Sequence, residues 1–94
     1  MLAELDPLIH SQLRLAIMSI LLSVDEADFV YLKEKTESTA GNLSVQLDKL
    51  SKAGYIQVEK EFVRKKTRTS CRITETGRKA MEEYIKALKT YLDL

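Results

Sequence analysis

Four cations stand in the five residues Arg64-Lys65-Lys66-Thr67-Arg68, with no acid among them. Charges of one sign at this density repel one another, and an anionic partner relieves that repulsion. Protecting a turn and its strand edge from aggregation, the plainer use of such residues, needs fewer cations. A second series, Gly41, Asn42, Val45, Gln46 and Lys49, recurs at the spacing of one helix face. The two carboxamides can each donate and accept, as the edge of an adenine requires, and Val45 can touch a thymine methyl. Ser38 and Thr39 stand just ahead of this series, where hydroxyls and the first amide groups of a helix can hold a phosphate. Gly41 lets a backbone approach closely. Taken singly, each of these residues also suits an ordinary solvated helix face.

Other chemistries find no support. Paired carboxylates, a nucleophile beside a base, and a glycine-rich phosphate loop are all missing, so no catalytic residue is assigned and enzymatic activity is not expected. His10 and Cys71 are the single histidine and the single cysteine. They supply no metal-ligand set and no internal disulfide, and both read as packing residues. Neither a metal nor a cofactor is expected.

Charge along the chain separates sharply, although the net is only +1 over 94 residues. Residues 1–37 carry seven acids against Arg14, Lys33 and Lys35, whereas residues 60–74 carry six cations against Glu61 alone. A protein so divided has a preferred surface for an anionic partner. With 45% hydrophobic and 31% charged residues the composition is globular, and this length suits one core, hence one domain over residues 1–94. The apolar run Leu15–Leu22 is interrupted by Ser19 and is far short of the ~20 residues of a membrane span. The start has no basic, cleavable leader, so no membrane partner and a cytoplasmic location are expected.

The elements that must position these groups follow from periodicity. Asp6-Pro7 is a helix start and predicts a first helix over about 7–22, apolar nearly all the way round. The acidic run Asp25–Asp28 reads as a turn leading into a short helix at 29–36. Ser38 or Thr39 caps a third helix over 39–53, backed by Leu43, Leu47 and Leu50 and stopped by Gly54. Alternation then takes over, and residues 55–74 read as a β-hairpin with the cations 64–68 at its tip. Thr74 caps a last helix over 75–92, with Gly77 tolerated in its first turn. The chain is α+β, mainly α. Helix, short helix, turn, helix and basic hairpin is the order of a winged helix-turn-helix, whose second paired helix enters the major groove.

The run Gly41 to Ile56, with its Leu50-Ser51-Lys52-Ala53-Gly54-Tyr55-Ile56 end, resembles the MarR/ArsR-type winged-helix transcriptional regulators. The cations 64–68 and the piece Ile73-Thr74-Glu75-Thr76-Gly77-Arg78 extend the resemblance over about 28–88. It implies a homodimer on a near-palindromic operator in double-stranded DNA, acting as a regulator, with a repressor the expected form. The implied recognition helix is 39–53 and the implied wing is the hairpin. The chain departs from the pattern by its short length, by Val63 and Arg64 at the wing's start where an acid is usual, and by having no cysteine–histidine cluster.

Dimerisation is also suggested by the all-round apolar first helix and by the broad apolar face of the last. Leu8, Leu15, Met81, Tyr84, Leu88, Tyr91 and Leu92 are the expected interface. The alternative is a winged-helix protein-interaction module in which the basic tip is incidental. A small-molecule effector bound at a dimer interface is neither supported nor opposed by the residues.

Overall fold

Leu43, Leu47 and Leu50 lie on one side of a helix, and burying that stripe against a first helix and a sheet organises the molecule. The computed structural model describes residues 1–92. Its elements are α1 (Gln12–Leu22), β1 (Ala27–Asp28), α2 (Phe29–Thr36), α3 (Ala40–Lys52), β2 (Ile56–Val63), β3 (Lys66–Ile73) and α4 (Glu75–Leu92). The strands form one antiparallel sheet in the order β1-β3-β2. Ile9, Ile17, Met18, Leu21, Leu32, Leu43 and Leu50 are fully enclosed, and Ile56, Cys71, Met81 and Tyr84 join them from the sheet and α4. Each such side chain contributes roughly 1.5–3 kcal/mol by leaving water. This is a winged helix, mainly helical, as the sequence indicates.

Three boundaries differ from the sequence expectation. The first helix begins at Gln12, not Pro7. Asp6 does cap, its Oδ1 accepting from the amides of Leu8 (2.8 Å) and Ile9 (3.4 Å), but the turn it starts closes on itself. Ser11 is extended (φ −153°, ψ 133°), and its amide donates to the Ile9 carbonyl (2.7 Å), which separates that turn from α1. The acidic run is not wholly a turn either. Ala27 and Asp28 pair with Cys71 and Ser70, and Asp28 then caps α2 by accepting from the Tyr31 amide (2.8 Å). Two residues carry too little alternation for a strand to be visible in sequence.

The third difference is at the hairpin tip. The register runs from Ile56↔Ile73 to Val63↔Lys66, so only Arg64 and Lys65 form the turn, and Lys66 and Arg68 belong to β3. Both turn residues have positive φ, 50° and 64°. That is the backbone of the tight hairpin turn that matches strand twist, where Asn-Gly is the usual pair.

The two ends of the hairpin close on each other. Gly54, at φ 79°, ends α3 and turns the chain into β2. Its carbonyl accepts from the Thr74 hydroxyl (2.6 Å), and the Tyr55 carbonyl accepts from the Thr74 amide (3.0 Å). The same Thr74 hydroxyl accepts from the Gly77 amide (3.0 Å) and so caps α4. Gly77 is required here and not merely tolerated. A Cβ on it would stand 2.0 Å from the Tyr55 carbonyl oxygen. The Ala-Gly-Tyr-Ile and Ile-Thr-x-x-Gly pieces are thus two halves of one joint.

Candidate nucleic-acid interface

Burying the leucine stripe of α3 leaves its opposite side to solvent. Gly41, Asn42, Val45 and Lys49 are all exposed, Val45 by 51%. Thr39 caps this helix, its Oγ1 accepting from the Asn42 amide (3.1 Å). Ser38 does not share that work. It is half-buried, and its hydroxyl is hydrogen-bonded to Thr36 Oγ1 (2.8 Å) at the end of α2. Asp48 and Lys52 pair with each other (2.9 Å) at the far end of α3, and this contact raises the Lys52 pKa.

Gln46 differs from its neighbours on this face. It is half-buried, and Arg14 Nη1 donates to its Oε1. Gln46 Nε2 in turn donates to Asn42 Oδ1 (3.0 Å), and Arg14 Nε donates to the Leu8 carbonyl. In the sequence Arg14 is one of the few polar residues of an otherwise apolar helix. Pairing across 32 residues leaves no local pattern by which to find it.

At the wing, Arg64, Lys65 and Lys66 are exposed and have no acidic partner among the described residues. Arg68 is also exposed, but its guanidinium lies 3.8 Å from Asp28, and Arg72 pairs with Glu26 (3.1 Å). These two contacts tie β3 to β1 and to the residue just before it and offset charge along β3, leaving the excess positive charge at the tip. Phe62, 75% exposed beside the turn, adds an apolar group there.

The remaining sequence candidates divide. Met81 and Tyr84 are 2% and 4% exposed within a single chain, so they belong to its own core and offer no surface. The segment before α1 runs alongside α4. Ala3 donates to Thr90 Oγ1 (3.1 Å), the Tyr91 hydroxyl donates to the Ala3 carbonyl (2.7 Å), and His10 Nδ1 is bonded to the Tyr84 hydroxyl (3.0 Å). An open cleft of about 520 Å³ lies between this segment and α4, lined by residues such as Leu5, Tyr55 and Ala87. Leu8, Leu15 and Leu88 are partly covered, and Tyr91 and Leu92 are exposed together with Ile85. Cys71 is enclosed in the core, where loss of solvation pushes its thiol up to about 11, an inert state.

A helix with an exposed polar face, preceded by a short helix and followed by a cation-tipped hairpin, fits the family model described as a winged helix DNA-binding domain, which matches residues 13–92. The chain belongs to this family. Over 76 residues it is 36% identical to an uncharacterized protein of Methanocaldococcus jannaschii, spanning 81% of this chain and 83% of that one. Among solved structures it resembles a transcriptional regulator homologue from Pyrococcus horikoshii OT3, with TM-score 0.84, 27% identity, and coverage of 92% of this chain and 85% of that one. A second likeness is to NadR crystallised with 4-hydroxyphenylacetate, at TM-score 0.74 and 22% identity, with 93% of this chain covering 64% of that one. The winged-helix relatives thus share the fold along nearly the whole chain. No helix among the described residues is long and apolar enough to cross a membrane.

Proposed function

We propose that this protein is a transcriptional regulator that binds double-stranded DNA sequence-specifically as a homodimer and represses from a near-palindromic operator. In this reading residues 1–92 act as one domain, with α3 in the major groove and the wing on backbone or minor groove. Thr39, Gly41, Asn42, Val45 and Lys49 face the groove from α3, with Gln46 behind them, and Arg64, Lys65 and Lys66 hold phosphates, with Arg68 joining them only by sharing its charge with Asp28. Ser38 is left out of the contact, because its amide donates to the Lys33 carbonyl (3.3 Å) and its hydroxyl is bonded to Thr36. Exposed Ile85, Tyr91 and Leu92 on α4, with the partly covered Leu88 among them, pair two copies, and Leu8 and Leu15 lie at the margin, so that two α3 helices read half-sites about one turn, roughly 34–36 Å, apart. The transcriptional regulator homologue among its structural relatives supports the regulatory role.

One observation carries the reading. Arg64 and Lys65 occupy the two left-handed positions of a tight turn, which costs a non-glycine residue roughly 1 kcal/mol or more at each. Asn-Gly would relieve that strain, so the hairpin does not itself call for cations at these positions, whereas an anionic partner does. The test is the double substitution Arg64→Asn with Lys65→Gly. It should raise thermal stability and weaken binding to all duplexes alike, with the log-log salt slope shallower by about 2 per protomer at ~0.9 per lost phosphate contact. A stabilised variant with unaltered DNA affinity and salt slope would sink the reading of the wing, and a wild-type chain that shifts no random duplex at low salt would leave a protein-interaction module in its place.

A further inference from the structure

A carboxamide can face a base in two orientations, which present a donor and an acceptor in opposite order. Whichever one Asn42 adopts decides what it can read. In this protein the choice is made away from the exposed surface. A guanidinium has donors only, so the group of Gln46 that faces Arg14 Nη1 has to be its oxygen. The Gln46 amino group is thereby turned toward Asn42, and the group it meets, 3.0 Å away, has to be the Asn42 oxygen. Asn42 keeps both hydrogens of its amino group and one lone pair of its oxygen for a ligand, in an order fixed by Arg14. Arg14 is itself held at its other end by the Leu8 carbonyl, in a half-buried position on α1.

We propose that Arg14 is a specificity-determining positioning residue, which sets the hydrogen-bond polarity of Asn42 through Gln46 without touching DNA. This rests on the reading of α3 as the recognition helix. Asn42 is then the residue that reads the base, and Gln46 is its support. The roles differ from two independent base contacts in a way that can be measured. Removing Arg14 leaves Asn42 in place and exposed but free to turn over, so one base pair in each half-site loses its preference while the wing's phosphate contacts persist.

The experiment selects bound sequences from a random duplex library with the full chain, Arg14→Met, Asn42→Ala and the double variant. Circular-dichroism melts and affinity for a random duplex at low salt are measured alongside. Arg14→Met should lose roughly tenfold in preference at a single base pair per half-site, the one that Asn42→Ala also relaxes, and keep its random-duplex affinity. In the Asn42→Ala background it should change the preference no further, because the effect passes through that residue. Should Arg14→Met fail to fold, Gln46→Met, which leaves Arg14 on Leu8, should relax the same base pair. Undiminished preference in a folded Arg14→Met or Gln46→Met variant overturns the inference. So does a loss spread evenly over all positions together with random-duplex affinity, or additivity in the double variant. A wild-type chain that selects no sequence refutes the DNA-reading role itself, and that result appears before any variant is made.

Discussion

Replacing Gly77 with alanine tests the joint that holds the wing to the helices. The new Cβ would lie 2.0 Å from the Tyr55 carbonyl oxygen, 2.9 Å from its carbon and 3.0 Å from Ile73 Cγ1. Carbon and carbonyl oxygen approach to roughly 3.3 Å at the closest, so the backbone must open by about 1 Å. That backbone is not free to move. The Tyr55 and Gly54 carbonyls accept from the Thr74 amide and hydroxyl at 3.0 and 2.6 Å. Losing both bonds costs about 1 kcal/mol each, and residual crowding adds ~1–3 kcal/mol. Alanine returns about 1 kcal/mol as the better helix residue. The net loss, ~2–4 kcal/mol, is a large part of the roughly 5–14 kcal/mol expected for a chain of this length. The melting temperature should fall by ~10–30 °C at about 4–8 °C per kcal/mol, read by far-ultraviolet circular dichroism. Gly41→Ala is the control. A Cβ there meets nothing within 4 Å, so it should stabilise by ~0.5–1 kcal/mol while weakening binding to the selected duplex. If Gly77→Ala melted at or above the wild-type temperature, the account of the joint would be wrong.

Leu88→Asp should give monomer in light scattering at micromolar concentration with the far-ultraviolet spectrum retained, and binding should drop from two half-sites to one. A wild-type chain that is itself monomeric there would contradict the dimer. Alkaline titration should destabilise the protein in two overlapping steps. Desolvation raises Cys71 from 9.0 to about 11, and donation to Asp6 raises Tyr55 from 10.0 to about 12. Groups with raised folded pKa stabilise fully below the unfolded value and lose that contribution as pH climbs through the folded one. Urea midpoints should therefore decline from about pH 9 to pH 12, and Tyr55→Phe should flatten the upper part of that decline. An unchanged upper limb in Tyr55→Phe would remove the Asp6 bond from the account.

What could be read in the sequence was whatever periodicity and local chemistry encode. The leucine stripe of α3, the Gly54 stop, the Thr74 cap and the paired strands β2 and β3 come from patterns of neighbours, and the structure has them where the sequence puts them, although alternating burial does not extend along the wing. What depended on distant partners was invisible. Gly77 looks optional until the Tyr55 carbonyl is brought against it. Met81 and Tyr84 look like an open apolar face until the chain's own core closes over them. Gln46 looks like a free surface amide until Arg14 arrives from another helix. Strand β1 has two residues and exists because β3 offers it an edge.

The first helix starts at Gln12 and not at Pro7, and the break frees groups that other elements use. In a continuous helix from Pro7 the Leu8 carbonyl would accept from the Gln12 amide, four residues on. Interrupting the helix at Ser11 frees that carbonyl, and Arg14 takes it. Asp6 divides its carboxylate between two jobs. One oxygen caps the turn, and the other accepts from the Tyr55 hydroxyl at 2.6 Å, at the base of the wing. His10, in the same segment, is bonded to Tyr84 on α4. A single turn of five residues, 6–10, therefore makes hydrogen bonds to the start of the hairpin and to the last helix, and reaches α3 through Arg14. The strong sequence signal Asp6-Pro7 does start a helical turn. The extended Ser11 ends that turn early enough for three elements to be tied to it.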